Sequence, residues 1–406
     1  MRLKISTASK LKIAFSGFVP KFIQANIARK KQSQLCEFLI NQEDLAEYER
    51  DTGIRDKILD AQMEKFPKQR TKIERLIKKE FERNPRLKNY VGHEKEEIMQ
   101  DMRFCRFAYG FAPDEYMYQG LFDDMKEPDK RREILSDIER RAFRYAVNND
   151  FKAPLLSDKA SAYNILKKYY KRDAVTISNQ NDYNAYHRFV AAHDTFVLKY
   201  VYDSQGHSVF LVRMSEQKSE KEFFEKVLNT GKAILEELIN QSEIMAAFNK
   251  DSVNTIRIFT FLTKHGVVTP FAFLKTGRKG KFVDNGGAGG VFADIDPKTG
   301  VISSDACDEM GNRYVTHPDS GAKYRGFQLP EWESAVDICK EAALVTPEVK
   351  YLGWDLAYTD DKGWVVVEVN TSGGFIQQGC RRKGIKKELA EVAADMDMIV
   401  PYTFRL

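Results

Sequence analysis

The sequence predicts an α+β protein with a mainly helical front, and three observations predict it. Apolar residues across 37–150 recur every three or four positions, the period of amphipathic helices. Beyond residue 150, short β-branched and aromatic runs alternate with helical stretches. Residues 351–378, YLGWDLAYTDDKGWVVVEVNTSGGFIQQ, read as a β-hairpin that sets two acidic side chains against each other. Four segments follow: a basic stretch, 1–36; a mainly helical region, 37–150; a first α+β unit with lysines and a glycine loop, 151–240; and a second with the acidic hairpin, 241–406.

With 406 residues, 43% of them hydrophobic, the chain can bury a sizeable core. Basic residues outnumber acidic ones by only 64 to 59, which gives no reason to expect nucleic acid as a partner. The five cysteines, Cys36, Cys105, Cys307, Cys339 and Cys380, form no CxxC pair. Their spacing argues against a disulfide framework or a zinc site and fits a reducing cytoplasm. No apolar run approaches the roughly 18–20 residues that span a bilayer.

Residues 1–36 carry no acidic side chain before Glu37, and Phe15, Phe18 and Phe22 interleave their lysines and arginines. Two readings stand: a solvated basic helix packed on the protein, or peripheral attachment of residues 1–31 to an anionic membrane surface. Between 37 and 150, LCEFLINQEDLAEYERDTGIRDKILDAQMEKF, KIERLIKKEFERNP and EKEEIMQDMRFCRFAYG read as helices, broken at Asn84-Pro85 and closed at Gly110. Pro128 opens a further helical stretch.

In the α+β part, Ser157 or Asp158 caps a helix over ASAYNILKKYYKRD. Ala174–Ile177, Phe196–Val201, Val209–Val212 and Lys232–Ile239 read as strands, with KEFFEKVLNTG a helix before the last of them. Ile256–Thr263, Val267–Thr276 and Val301–Ser303 continue the sheet, interrupted by VDNGGAGGVFADIDPKTG. Glu331–Leu344 is a helix ahead of the hairpin. No Walker A motif and no properly spaced GxGxxG occurs, so neither a P-loop nor a Rossmann reading is supported.

The hairpin carries the chemistry. A turn centred between Asp361 and Lys362 places Asp355 opposite Glu368, with Asn370 on the same face as Glu368, Trp364 and Val366. Facing carboxylates repel unless a cation lies between them, and two carboxylates with an amide oxygen suit magnesium. A surface hairpin with its acids in water is the plainer alternative. Three further features accompany it. Lys199 lies in an otherwise apolar strand beside a loop containing Gly206 and Ser208, a place for phosphate oxygens or a strand-edge lysine. Lys159 stands at a helix start, where free amides favour an anion. AILEELINQSEI runs from a strand into a loop, with Glu236 and Glu243 seven apart.

Taken in order, Asp-Lys, a strand lysine with a glycine loop, an acidic hinge and a final D…ExN resemble the ATP-grasp superfamily. SVNTIRIFTF, VDNGGAGGV, HPDSG and GWDLAYT are similar to its sugar-transfer associated family. The resemblance implies an ATP-grasp fold, two α+β subdomains gripping ATP, with ATP and two magnesium ions as cofactors. Lys159 and Lys199 would meet phosphates near Gly206; Glu236, Leu238 and Ile239 would hold adenine and Glu243 ribose. Asp355, Glu368 and Asn370 would hold metal. Arg257 faces away from Ile256 and Ile258, toward a transferring phosphoryl or carboxylate, or into a salt bridge. Asn285 is a candidate nucleotide contact in the glycine-rich loop, which either brings backbone close to a phosphate or acceptor or is a plain turn, and His317 is a candidate contact to a small-molecule or glycan substrate. D-Alanine–D-alanine ligases carry an arginine just before the metal aspartate; Gly353-Trp354 stand there instead. The implied function is an ATP-dependent carboxylate–amine ligase in cell-surface or capsular polysaccharide synthesis, on the cytoplasmic side. A kinase-like ATP-grasp phosphotransferase and a non-catalytic nucleotide-binding protein are the alternatives.

Overall fold

The apolar stripes of the N-terminal half close on one another in the computed structural model, which describes residues 19–201 and 209–405. Helices Lys21–Cys36, Gln42–Arg50, Arg55–Lys65, Pro67–Arg83 and Gly92–Tyr109 open the described chain. Phe38, Leu59, Ile73, Ile77, Phe104 and Phe107 meet in one core. The helix before Asn84-Pro85 stops at Arg83, and Gly110 closes the next one at φ 88°. Residues 1–18, the first half of the basic segment, and the loop holding Gly206 and Ser208 lie outside the described residues. No described helix is long and apolar enough to cross a membrane.

Two antiparallel sheets follow. The smaller takes β1 (Ala174–Ile177), β2 (Thr195–Tyr200), β3 (Val209–Arg213) and β4 (Ala233–Glu237) in the order β1-β4-β2-β3. The larger contains β5 (Thr255–Thr263), β6 (Gly266–Thr276), β7 (Val291–Ile295), β8 (Ala306–Cys307), β9 (Arg313–Tyr314), β10 (Tyr351–Thr359) and β11 (Gly363–Asn370). Its order is β11-β10-β5-β6-β7-β8-β9.

The large sheet is buried on both faces, so its central strands read as nearly continuous apolar runs. Ile256, Ile258, Ala272, Leu274, Trp354 and Leu356 pack on one side, against helix Trp332–Ala343. Phe259, Phe261, Phe271, Phe273 and Tyr351 pack on the other, against Phe143 of helix Asp137–Val147 and against Phe375. Phe261 and Tyr351 stack at 5.1 Å between centroids. Strand alternation then puts Arg257, Lys275 and Asp355 on this aromatic side, where the apolar packing gives out.

Several expectations need correction. The hairpin turn is centred on Asp361, because Thr359 pairs with Gly363. A bulge at Val367 then restores the expected pairing of Asp355 with Glu368. That extra residue moves Trp364 and Val366 into the same core as Val369, away from the face of Glu368 and Asn370. Val301–Ser303 forms only isolated bridges, whereas Val291–Ile295, inside the glycine-rich interruption, is a full strand. The expected strand Lys232–Ile239 ends at Glu237. Cys307 and Cys380 are joined in a disulfide, Cα to Cα 5.4 Å, linking β8 to helix Gln377–Arg381; the sequence spacing of 73 concealed their proximity.

Candidate active site

Between the two sheets lies a cavity of about 500 Å³. Lys159, Lys199, Glu236, Leu238, Ile239, Arg257, Asn285, Asp355, Glu368 and Asn370 all line it. Glu243 is exposed at the start of a short helix and lines no part of it. His317 is also elsewhere: its Nε2 is 2.8 Å from Gly277 O, and its Nδ1 accepts from the amides of Asp319 and Ser320. Burial holds its pKa below the ordinary histidine value, and its ring pins the HPDSG turn.

The small-sheet wall is built around one carboxylate. Glu236, on β4, accepts through Oε2 from Lys199 Nζ at 2.9 Å and from Arg172 Nε at 2.9 Å. Burial pushes its carboxyl up, but Arg172 and Lys199 outweigh burial and bring it down to about 2. Its side chain therefore holds the lysine and the arginine in place, while the backbone of Glu237–Ile239 continues along the same cavity wall. Arg172 also donates to the carbonyls of Val366 at 2.5 Å and Val367 at 3.3 Å, those exposed by the bulge. One guanidinium thus ties the small sheet to the strand bearing Glu368. Lys159 opens helix Lys159–Tyr170, whose cap Asp158 accepts from Ser161 N at 2.9 Å.

Opposite, Asp355 is 3% exposed and lies in register with both Glu368 on β11 and Arg257 on β5. Arg257 grips it with a fork, Nε to Oδ1 at 2.7 Å and Nη2 to Oδ2 at 2.6 Å. Lys275 Nζ is 3.2 Å from the same Oδ2 and Asn370 Nδ2 3.4 Å. Burial raises the Asp355 carboxyl, and the two cations more than reverse that, holding it below the usual carboxylate range. Of the two readings the sequence left for Arg257, the structure shows the salt bridge, made across the ladder to Asp355.

Asp284 heads the glycine-rich loop and accepts from Thr255 N at 3.1 Å, while Lys275 Nζ lies 3.6 Å from its Oδ1. Asn285 caps the next turn through Ala288 N at 3.0 Å. A Cβ at Gly290 would come 2.2 Å from the Asp284 carbonyl, so this loop closes only with glycine there.

Asp355, Glu368 and Asn370 share one cavity wall and offer hard oxygen donors, the chemistry that fits magnesium held jointly with phosphate oxygens. Sequence reasoning missed Lys275, Arg172 and Asp284. Lys275 left a usable signal, a lysine ending the apolar strand FAFLKT just as Lys199 interrupts FVLKYV. Arg172 and Asp284 left none, since a basic residue after a helix and an aspartate before glycines are commonplace.

A comparison with curated proteins yields no significant match. Among solved structures, the ATP-grasp ligase PsnB complexed with minimal precursor is 12% identical, with a TM-score of 0.38, over 62% of this chain and 64% of that one. The VanG D-Ala:D-Ser ligase from Enterococcus faecalis is 15% identical, with a TM-score of 0.38, over 63% and 67%. The D-alanine–D-alanine ligase from Coxiella burnetii is 12% identical, with a TM-score of 0.34, over 55% and 50%. The chain thus spans less than two thirds of the first and third of these. The family model described as sugar-transfer associated ATP-grasp matches residues 139–394, which takes in both sheets and the cavity between them. With that match covering well over half its length, the chain has the ATP-grasp fold and belongs to the sugar-transfer associated ATP-grasp family, within a superfamily of ATP-dependent ligases that use ATP and magnesium.

Proposed function

We propose that this chain is a carboxylate–amine ligase that spends ATP to make an acyl phosphate, acting on a sugar acid or sugar-linked acceptor of a cell-surface polysaccharide at the cytoplasmic side. The observation that carries the reading is the meeting, in one cavity, of phosphate-type cations, a hinge backbone and an oxygen-donor wall. Lys199, oriented by Glu236, and Lys159 would take the nonreacting phosphates. Leu238 and Ile239 would flank the base. Asp355, Glu368 and Asn370 would hold magnesium, which when bound neutralises charge on the β- and γ-phosphates.

In the first step, a carboxylate oxygen attacks the γ-phosphorus, the bond to the β–γ bridging oxygen breaks, and ADP leaves. In the second, the amine attacks the acyl carbon, the C–O bond to phosphate breaks, and the amine proton is lost to solvent or product phosphate. Arg257 and Lys275 stand on the Asp355 wall, where fixed positive charge would stabilise the transferring group. Supply of amino acids with uronic-acid glycans, ATP and magnesium should give ADP release. Added hydroxylamine should trap a hydroxamate, whereas a kinase-like reaction on a hydroxyl yields none. Asp355→Asn and Lys199→Ala should each lower turnover at least about a hundredfold. Near-normal turnover in both would end this reading.

A further inference from the structure

The helical region ahead of residue 150 has no part in the reading above, yet it reaches the exit of the strand bearing Asn370. β11 ends at Asn370, so the carbonyls that follow have no ladder partners. Three consecutive ones are satisfied by side chains from elsewhere. Asn148 Nδ2 donates to Thr371 O at 3.2 Å, Arg140 Nη1 to Ser372 O at 2.7 Å, and the Tyr351 hydroxyl to Gly373 O. Arg140 Nη1 also donates to the Ser372 hydroxyl at 2.8 Å, while Nη2 pairs with Asp137 on its own helix. Asn148 in turn is locked to β10, accepting from Tyr351 N at 2.8 Å and donating to Tyr351 O at 2.8 Å. Both residues are buried, Arg140 at 7% exposure and Asn148 at 1%.

We infer that Arg140 and Asn148 are positioning residues that set the oxygen-donor wall, fixing Asn370 by holding the two residues after it. The inference rests on the reading of Asp355, Glu368 and Asn370 as metal ligands. A fork is required because carbonyl and hydroxyl of one residue are both engaged while Asp137 is met on the other side; an ammonium has no such fixed geometry. The helix 137–147 therefore belongs to the active site in effect, although no residue of it lines the cavity.

The test titrates MgCl2 at fixed ATP and follows the ATP-dependent rise in melting temperature of the full chain, for wild type, Arg140→Lys and Ser372→Ala. Arg140→Lys should raise the half-saturating magnesium concentration about 10–100-fold, the usual effect of losing a group that orients a metal ligand. Ser372→Ala, which keeps the guanidinium and one contact, should raise it severalfold. Both should melt without ligand within a few degrees of wild type, so that simple unfolding does not account for the shift. Wild-type magnesium dependence in both variants would overturn the inference while leaving the proposed function intact. Absence of any magnesium-dependent rise in wild type would instead sink the parent reading, and this one with it.

Discussion

Replacement of Glu236 by glutamine tests the small-sheet wall through pH. The carboxylate, buried at 3% exposure, lies between Arg172 and Lys199, which bring its pKa from 4.5 down to about 2. A depressed carboxyl stabilises the fold above its unfolded pKa, and that stability is lost as pH falls toward the folded value. Glutamine mimics the protonated form. The difference between wild type and Glu236→Gln should therefore be about 3 kcal/mol at pH 7 and should shrink to roughly half of that by pH 3. Urea unfolding at each pH, followed by tryptophan fluorescence, reads these differences directly. The same variant should lose ATP-induced stabilisation at pH 7, because Lys199 and Arg172 lose their shared anchor. A stability gap under 1 kcal/mol at pH 7, or one that does not narrow below pH 4.5, would refute the assignment of Glu236 as the charged keystone of this wall.

Two further outcomes follow from the structure. His317→Asn should cost about 1–3 kcal/mol, the penalty for buried donors and acceptors left without partners. It should leave kcat within threefold of wild type, and a large kcat loss in well-folded protein would restore His317 to the substrate site. Alkylation of protein unfolded without reductant should modify Cys36, Cys105 and Cys339 but not Cys307 or Cys380. Mass spectrometry showing five modified cysteines would refute the disulfide.

Much of the fold was legible because it depends on local period. The register of Asp355 against Glu368 was also legible, although for an imperfect reason. The turn was misplaced by half a residue, and the bulge at Val367 cancelled that error at the one pair that matters. A bulge leaves no mark in a run such as VVV, where each residue fits either face of a doubly buried sheet. The strand Val291–Ile295 is hidden inside a glycine-rich stretch because glycines signal turns and the strand follows directly. Arg172 and Arg140 were invisible for another reason. Each acts on a partner far along the chain, Glu236 and Ser372 respectively, and no spacing rule links such pairs.

Charge explains why these distant partners are needed. Glu236 and Asp355 are each buried against two cations, Arg172 with Lys199 and Arg257 with Lys275. A carboxylate so deep would otherwise be driven to take up a proton, and neither could then orient a lysine or hold a metal. The cavity wall sums Lys159, Lys199, Arg257 and Lys275 against Glu236, Glu237, Asp284, Asp355 and Glu368, a near cancellation. Such a wall has little net attraction for a free triphosphate, however many lysines it contains. So nearly neutral a wall suits an anion whose charge is already partly met by divalent cations. On the proposed reading, the same ion pairs that make burial tolerable favour a nucleotide that arrives with its metal already bound over a free one.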